Sequence, residues 1–278
     1  MSRLERAFAI ACAMVTAIAA MVACAPGLDG LLGATVGGGP SLRIGVKVDQ
    51  PGLGLRAPDG SLHGFDIDVA RYVAAELGVD SSRITFVEAR PAVREQLLER
   101  AEVDLVVATY SMTEERRQRV DFAGPYFVTG QSLLVRRQNS DIVGPQSLDH
   151  RDWRLCAVRG TTGATRIRDS YAENVQLSEF ASYPECLQAL RSNEVDAVTT
   201  DGVILAGYAA QEPDQFKVVG KPFSQEKYGI GLRKDDPRRG KVNAALRNMI
   251  SDGSWHRFVR DNLGVSGYKI PEPPTVET

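Results

Sequence analysis

The chain has 278 residues, 43% of them hydrophobic and 24% charged, with a formal net charge of −2. That is the composition of a soluble globular protein with one large or two small domains. It has no long basic stripe, which sets nucleic-acid binding aside.

The first residues depart from that average. Arg3 and Arg6 precede the apolar run 7–20, and Met21, Val22, Ala23 and Cys24 follow. A basic start, a short apolar core and small residues before a cleavage point mark 1–23 as a secretory signal. The run is shorter than the ~20 apolar residues of a membrane span. Cys24, directly after Val22 and Ala23, resembles a lipobox cysteine, the acylated N-terminus of a bacterial lipoprotein. Residues 24–41 then form the lipidated cysteine and a glycine-rich flexible tether. The expected location is the extracytoplasmic face of the cell membrane. Cys12 leaves with the signal, so Cys156 and Cys186 remain. An oxidising location would join them, two separate buried thiols being the alternative.

After the tether, β-rich runs alternate with helical patterns, the signature of α/β units and a mainly parallel sheet. Residues 42–48 read as the first strand. Residues 66–77 read as a helix on the spacing of Val69, Ala70, Val73, Ala74 and Leu77, with Gly78 as its stop. A strand at 84–87, a helix at 92–100 and a strand at 103–108 follow. The same logic recurs at 155–158, 162–170, 175–180, 184–192 and 197–200. Amphipathic helices at 241–250 and 255–263 precede a proline-rich loose tail, 271–278.

The stretch after 103–108 carries most of the chemistry. Ala108-Thr109-Tyr110-Ser111 leads into Thr113-Glu114-Glu115-Arg116, then Asp121-Phe122-Ala123-Gly124-Pro125-Tyr126. Hydroxyls and an arginine thus gather at the C-terminal end of a buried strand, where open α/β sheets bind ligands. Arg116 suits a small carboxylate, which it can grip through two parallel N–H···O bonds.

This segment resembles the signature of the polar amino-acid-binding proteins, solute-binding protein family 3, which serve ABC importers. Gly64-Phe65-Asp66-Ile67-Asp68-Val69-Ala70, Gly160-Thr161-Thr162 and Asp196-Ala197-Val198 ahead of Asp201 extend the match in the family's order. The opening Asp49-Gln50-Pro51-Gly52-Leu53-Gly54, with Cys156 and Cys186, looks most like the actinobacterial glutamate/glutamine-binding lipoproteins. The resemblance implies a periplasmic-binding-protein-like fold, two α/β lobes joined by a two-strand hinge (type II). Lobe one is expected at 42–126 plus 231–270, lobe two at 131–226, and the crossings at 127–130 and 227–230. It also implies a receptor that closes on glutamate, glutamine, aspartate or asparagine, L-glutamate being the best match. ABC permease and ATPase subunits would be separate chains. No cofactor, metal or catalytic residue is implied, and a monomer is expected.

A zwitterion enclosed between lobes needs a charged partner for each end. Arg116 is assigned to the α-carboxylate and Asp201 to the α-ammonium. On periodicity alone, Arg116 would sit on a solvated helix face and Asp201 would cap the following helix. Thr109 and Ser111 add hydroxyl or backbone bonds, and the Ala108 carbonyl accepts from the ammonium. Thr162 opens a helix whose amides favour an anion. Lys47 and Asp49 share strand parity near the opening. Arg159 and Arg90, the latter able to pair with Glu88, join Lys47 as basic groups suited to an acidic side chain. Arg94 matches an arginine often present in the family and reads as structural or as support behind the ligand-contacting residues. The aromatic lid of many relatives falls on Gly52, with Tyr110 or Phe65 as substitutes. The same fold also hosts cyclohexadienyl dehydratases, whose chemistry needs a poised carboxylic acid; Glu173 or Glu179 would have to supply it. An amino-acid sensor is a third reading.

Overall fold

A computed structural model of the protein describes residues 39–150, 152–170 and 175–277. The signal, Cys12, Cys24, most of the tether and Glu173 lie outside the described residues. No helix among those described is long and apolar enough to cross a membrane.

The chain folds into two α/β lobes. The first opens with strand β1 (Leu42–Val46), followed by a small antiparallel sheet of β2 (Asp49–Gln50), β3 (Gly54–Arg56) and β4 (Leu62–His63). Helix α1 (Phe65–Glu76), strand β5 (Ile84–Glu88), helix α2 (Arg94–Glu99), strand β6 (Leu105–Val107) and the short helix α3 (Glu114–Arg117) come next. Strand β7 (Asp121–Thr129) then leads out of this lobe. The second lobe holds β8 (Gln131–Arg136), β9 (Arg154–Val158), α4 (Gly163–Ser170), β10 (Gln176–Phe180) and α5 (Tyr183–Arg191). It continues with β11 (Ala197–Asp201), α6 (Gly202–Gln211) and β12 (Phe216–Val219). Strand β13 (Glu226–Leu232) returns to the first lobe, which α7 (Arg239–Ser251) and α8 (Ser254–Leu263) complete.

The sheets run β5-β1-β6-β13-β7 and β10-β9-β11-β8-β12. In each, the strands fed by crossover helices are parallel and the strands that connect lobes are antiparallel. That mixture follows from topology, because an outgoing and a returning strand must run in opposite directions. β7 and β13 stay paired as far as Thr129 opposite Glu226. Phe65, Phe127, Tyr228 and Trp255 pack beneath them with ring centroids 5.4–6.3 Å apart. Trp255 Nε1 donates to the Tyr126 carbonyl at 2.7 Å. The segments 127–130 and 227–230, read as crossings, thus lie largely within a paired and aromatic-backed ladder.

Each lobe buries the apolar positions that gave its helices their spacing. In α1, Ile67, Val69, Ala70, Val73 and Ala74 are all fully buried. A second cluster of Leu133, Val135, Leu155, Ile167 and Ala197 is buried within lobe two.

Two expectations are corrected. The strand read over 42–48 stops at Val46, because the chain turns there into the β2–β4 sheet. The tail 271–278 is not loose over its described part. Glu277 N donates to the Gly124 carbonyl at 2.7 Å, and Asn243 Nδ2 donates to the Glu277 carbonyl at 3.0 Å. The Glu277 carboxylate meets Arg117 at 2.8 Å and Lys227 at 3.6 Å, and Val276 is buried. Proline content suggested an unfolded end; a hydrophobic anchor and two cations hold it instead.

Cys156 on β9 and Cys186 on α5 form a disulfide spanning 30 residues. Closing a loop of that length stabilises by about 3–4 kcal/mol in the chain-entropy picture. Reduction, or Cys156→Ser with Cys186→Ser, should therefore lower the melting midpoint by roughly 6–15 °C, read by calorimetry with and without reductant. An unchanged midpoint would contradict a structural disulfide.

Candidate functional site

A polar cavity lies between the lobes. Gln50, Pro91, Arg94, Thr109, Ser111 and Arg116 line it from the first lobe; Gln131, Thr161, Thr162, Tyr183, Thr200, Asp201 and Ile204 line it from the second. Most of these sit at strand ends or in the turns beyond them, which is where an α/β sheet leaves its edge groups for a ligand.

The first-lobe wall is built on the turn after β6. Thr109 adopts φ +44°, a left-handed conformation that a branched residue holds only under constraint. The constraint is Asp66: its carboxylate accepts from Thr109 N at 2.8 Å and from Tyr126 OH at 2.8 Å. Burial pushes the Asp66 carboxyl up to about 7, against the pull of those two bonds. Thr109 Oγ1 in turn reaches the Ala108 carbonyl at 2.8 Å and Gln50 Oε1 at 3.2 Å.

Arg116 stands on α3, whose first turn is capped by Thr113 Oγ1. Its Nη1 donates to the Ser111 carbonyl at 2.8 Å and its Nη2 to the Gly160 carbonyl of the other lobe at 3.0 Å. Arg94 is 2% exposed, donates Nη1 to the Ala108 carbonyl at 3.0 Å, and lies 3.9 Å over the Tyr110 ring. Arg116 lies over the same ring at 5.3 Å. Glu95 faces both guanidinium groups, at 3.9 and 3.6 Å, and accepts from Tyr110 OH. Burial and then the neighbouring Arg116 push the Arg94 guanidinium down to about 10. Among the described residues its Nε has no hydrogen-bond partner.

The second-lobe wall centres on Asp201, 4% exposed at the end of β11. It stands at the N-terminus of α6, yet its side chain makes no capping bond. Instead it accepts from Gln131 Nε2 at 2.7 Å and from Tyr228 OH. Gln131 Nε2 also reaches Thr162 Oγ1 at 3.0 Å, and that hydroxyl donates to Glu226 at 3.2 Å. Glu226 is 2% exposed, with Arg166 3.5 Å away. Burial, and then the like charge of Glu226, push the Asp201 carboxyl up to about 7.

The structure thus brings Thr109, Ser111, Arg116, Thr162 and Asp201 to one cavity. Other sequence candidates fall elsewhere. The Ala108 carbonyl accepts from Arg94 and Thr109. Lys47 is buried against Asp49 at 2.9 Å, and neither lines the cavity. Arg90 points outward and bonds Glu88 at 2.7 Å. Arg159 is exposed and donates to the Glu179 carbonyl at 3.2 Å. Tyr110 and Phe65 are fully buried in the first lobe and provide no lid. Gly52 has φ +75°, and a Cβ there would lie 2.8 Å from the Asn262 carbonyl oxygen, so no aromatic fits at that position. Gln50, Gln131, Tyr183, Thr200 and Ile204 also line the cavity without a sequence signal, and Arg94, expected to be structural or to support the site from behind, lines it directly. Periodicity carries no signal for polar residues whose partners lie far along the chain, as Gln50 with Thr109, Gln131 with Asp201 and Tyr183 with Thr200 do. Among the described residues, no group of three or more His, Cys, Asp or Glu is placed to hold a metal.

Similarity to known proteins agrees in kind with this geometry. The family of bacterial extracellular solute-binding proteins, family 3, matches residues 42–265. The glutamate-binding protein GluB of Corynebacterium efficiens is 44% identical over 256 residues, 88% of this chain and 86% of that protein. The ABC transporter glutamine-binding protein GlnH of Bacillus subtilis is 38% identical, covering 78% of this chain and 79% of that protein. Among solved structures, an ancestral arginine-binding protein bound to glutamine superposes with a TM-score of 0.75 at 33% identity. It covers 81% of this chain and 98% of its own.

The raised Asp201 carboxyl has a consequence for stability. A group at about 7 when folded and 3.8 ordinarily leaves the folded chain holding a proton that the unfolded chain has released. Its contribution is therefore most favourable below about 4 and is lost as pH rises through 7. Asp201→Asn lacks this loss, so its stability relative to wild type should climb between pH 4.5 and 7.5 in urea unfolding. A flat difference would show that Asp201 is not held protonated by its site.

Proposed function

The chain belongs to the bacterial extracellular solute-binding proteins, family 3, and from that premise we propose that it is an amino-acid receptor for L-glutamate. The observation that carries this is a charge count. One cavity holds two buried arginines, Arg94 and Arg116, and one buried aspartate, Asp201. Glutamate presents two carboxylates and one ammonium, the complement of that set. Glutamine would bring a single carboxylate to two buried arginines that share only Glu95, at 3.6 and 3.9 Å, which costs affinity.

In this reading Arg116 takes the α-carboxylate, with Thr109, Ser111 and Thr162 beside it. Asp201 takes the ammonium, steadied by Gln131 and Tyr228. Arg94 takes the side-chain carboxylate, the role that sequence reasoning gave to Lys47, Arg90 and Arg159. Closure of the lobes about β7 and β13 traps the ligand, a hinge motion. The receptor is anchored through a lipid on Cys24 at the extracytoplasmic face of the cell membrane, acts as a monomer, and hands its amino acid to an ABC permease powered by a separate ATPase. The anchor raises the receptor's effective concentration beside that permease. A dehydratase needs an acid at its reacting centre; of the two candidates, Glu179 is exposed and absent from the cavity.

Calorimetric titration of the purified protein tests this. Glutamate should bind more tightly than glutamine, and Arg94→Met should erase that preference by weakening glutamate selectively. Arg116→Ala should cost about 3–5 kcal/mol, because it strands a buried charge. An ammonium requires ionised Asp201, so affinity should fall as pH drops below about 7, by at most about tenfold per unit. Equal binding of both amino acids by wild type, or normal affinity in Arg116→Ala, would contradict the assignment.

A further inference from the structure

Helix α6 carries a glycine where helix propensity disfavours one. Gly207 sits in the interior of Gly202–Gln211, between Ala206 and Tyr208, and interior glycine is among the poorest helix formers. Its surroundings supply the reason. A Cβ on Gly207 would lie 2.5 Å from the carbonyl oxygen of Pro51, a buried first-lobe residue just after β2. The next residue, Tyr208, donates its hydroxyl to the carbonyl of Asp49 on β2 itself. Backbone of lobe one therefore touches backbone of lobe two here, with no side chain between them.

The opposite flank of the cavity shows a similar contact. A Cβ on Gly160 would lie 2.8 Å from Ala92 Cα, and Arg116 donates across the same seam to the Gly160 carbonyl. Gly160 also needs its φ of +80°, so substitution there mixes two effects. Gly207 offers the cleaner probe, since neither it nor Tyr208 lines the cavity.

We propose that Gly207 and Tyr208 form a closing latch: they set how far the lobes shut on the ligand, and they seat against Pro51 and Asp49 only in the shut form. The latch rests on the receptor reading for its ligand. It makes Gly207 a positioning residue, acting on affinity without touching the amino acid. A methyl at 207 suits the helix when the lobes are apart and blocks their approach when they meet, so stability and affinity should move in different directions.

The test compares wild type, Gly207→Ala, Tyr208→Phe and Gly240→Ala, whose Cβ would meet nothing within 4 Å. Gly207→Ala should melt, free of ligand, at or up to about 2 °C above wild type, while its Kd for glutamate rises at least fivefold. Tyr208→Phe should raise Kd at least threefold, and Gly240→Ala should bind as wild type does. A ligand-free midpoint below wild type in Gly207→Ala would mean permanent packing against Pro51 and would overturn the latch, as would a smaller loss of affinity. If Gly207→Ala fails to fold, the permanent-packing result has been reached directly and Tyr208→Phe decides whether the hydroxyl contact acts on binding. Should wild type bind neither glutamate nor glutamine, the receptor reading fails on its own, and the ligand-free melting comparison still judges whether the contact opens.

Discussion

A charge taken out of water must meet an opposite charge, and the cleft of this protein is organised around that constraint. Arg116 and Arg94 face it from one lobe, and Asp201 faces it from the other. None of the three stands alone. Glu95 sits between the arginines, Tyr110 lies beneath both, and Gln131 and Tyr228 hold the aspartate. The shell costs conformational freedom and local strain, seen in the left-handed Thr109 that Asp66 holds in place. Within each lobe the charged side chains are already aimed, so little side-chain ordering is left to accompany the approach of the lobes.

The fold serves this arrangement in two ways. The antiparallel pair β7 and β13 leaves one lobe and returns to it as a unit, backed by Phe65, Phe127 and Trp255. Tyr228 belongs to that pair and also bonds Asp201, so the connecting strands touch the site directly. In lobe two, the disulfide ties α5 to β9. Tyr183, at the start of α5, is thereby held at the cavity wall, where its hydroxyl bonds Thr200. Glu277 ties β7, β13 and α3 together from behind, through Gly124, Lys227 and Arg117.

Much of this was legible in the chain, for identifiable reasons. Strands such as 84–87 and helices such as 66–77 follow from local periodicity, which survives folding because each element buries one face. Motif register points to Arg116 and Asp201, a stronger signal than their local pattern, and both line the cavity. That pattern alone pointed to a solvated helix face and a helix cap. Lys47, Arg90 and Arg159 show the limit of counting basic residues near an opening: they bond Asp49, Glu88 and the Glu179 carbonyl, and none of the three lines the cavity. Gln131 gives no local signal because its partners, Thr162 and Asp201, lie 31 and 70 residues along the chain, and Arg94, stacked on Tyr110 and bonded to the Ala108 carbonyl, has the contacts of a structural arginine. The proline-rich tail misled through composition, which does not see the single buried Val276 or the cations waiting for Glu277.

The most direct test of the central claim is a crystal structure of the protein grown with L-glutamate. The account predicts one glutamate between the lobes, its α-carboxylate on Arg116, its ammonium on Asp201 and its side-chain carboxylate within hydrogen-bond reach of Arg94. A ligand lying outside this cavity, or one whose side-chain carboxylate turns away from Arg94, would contradict it.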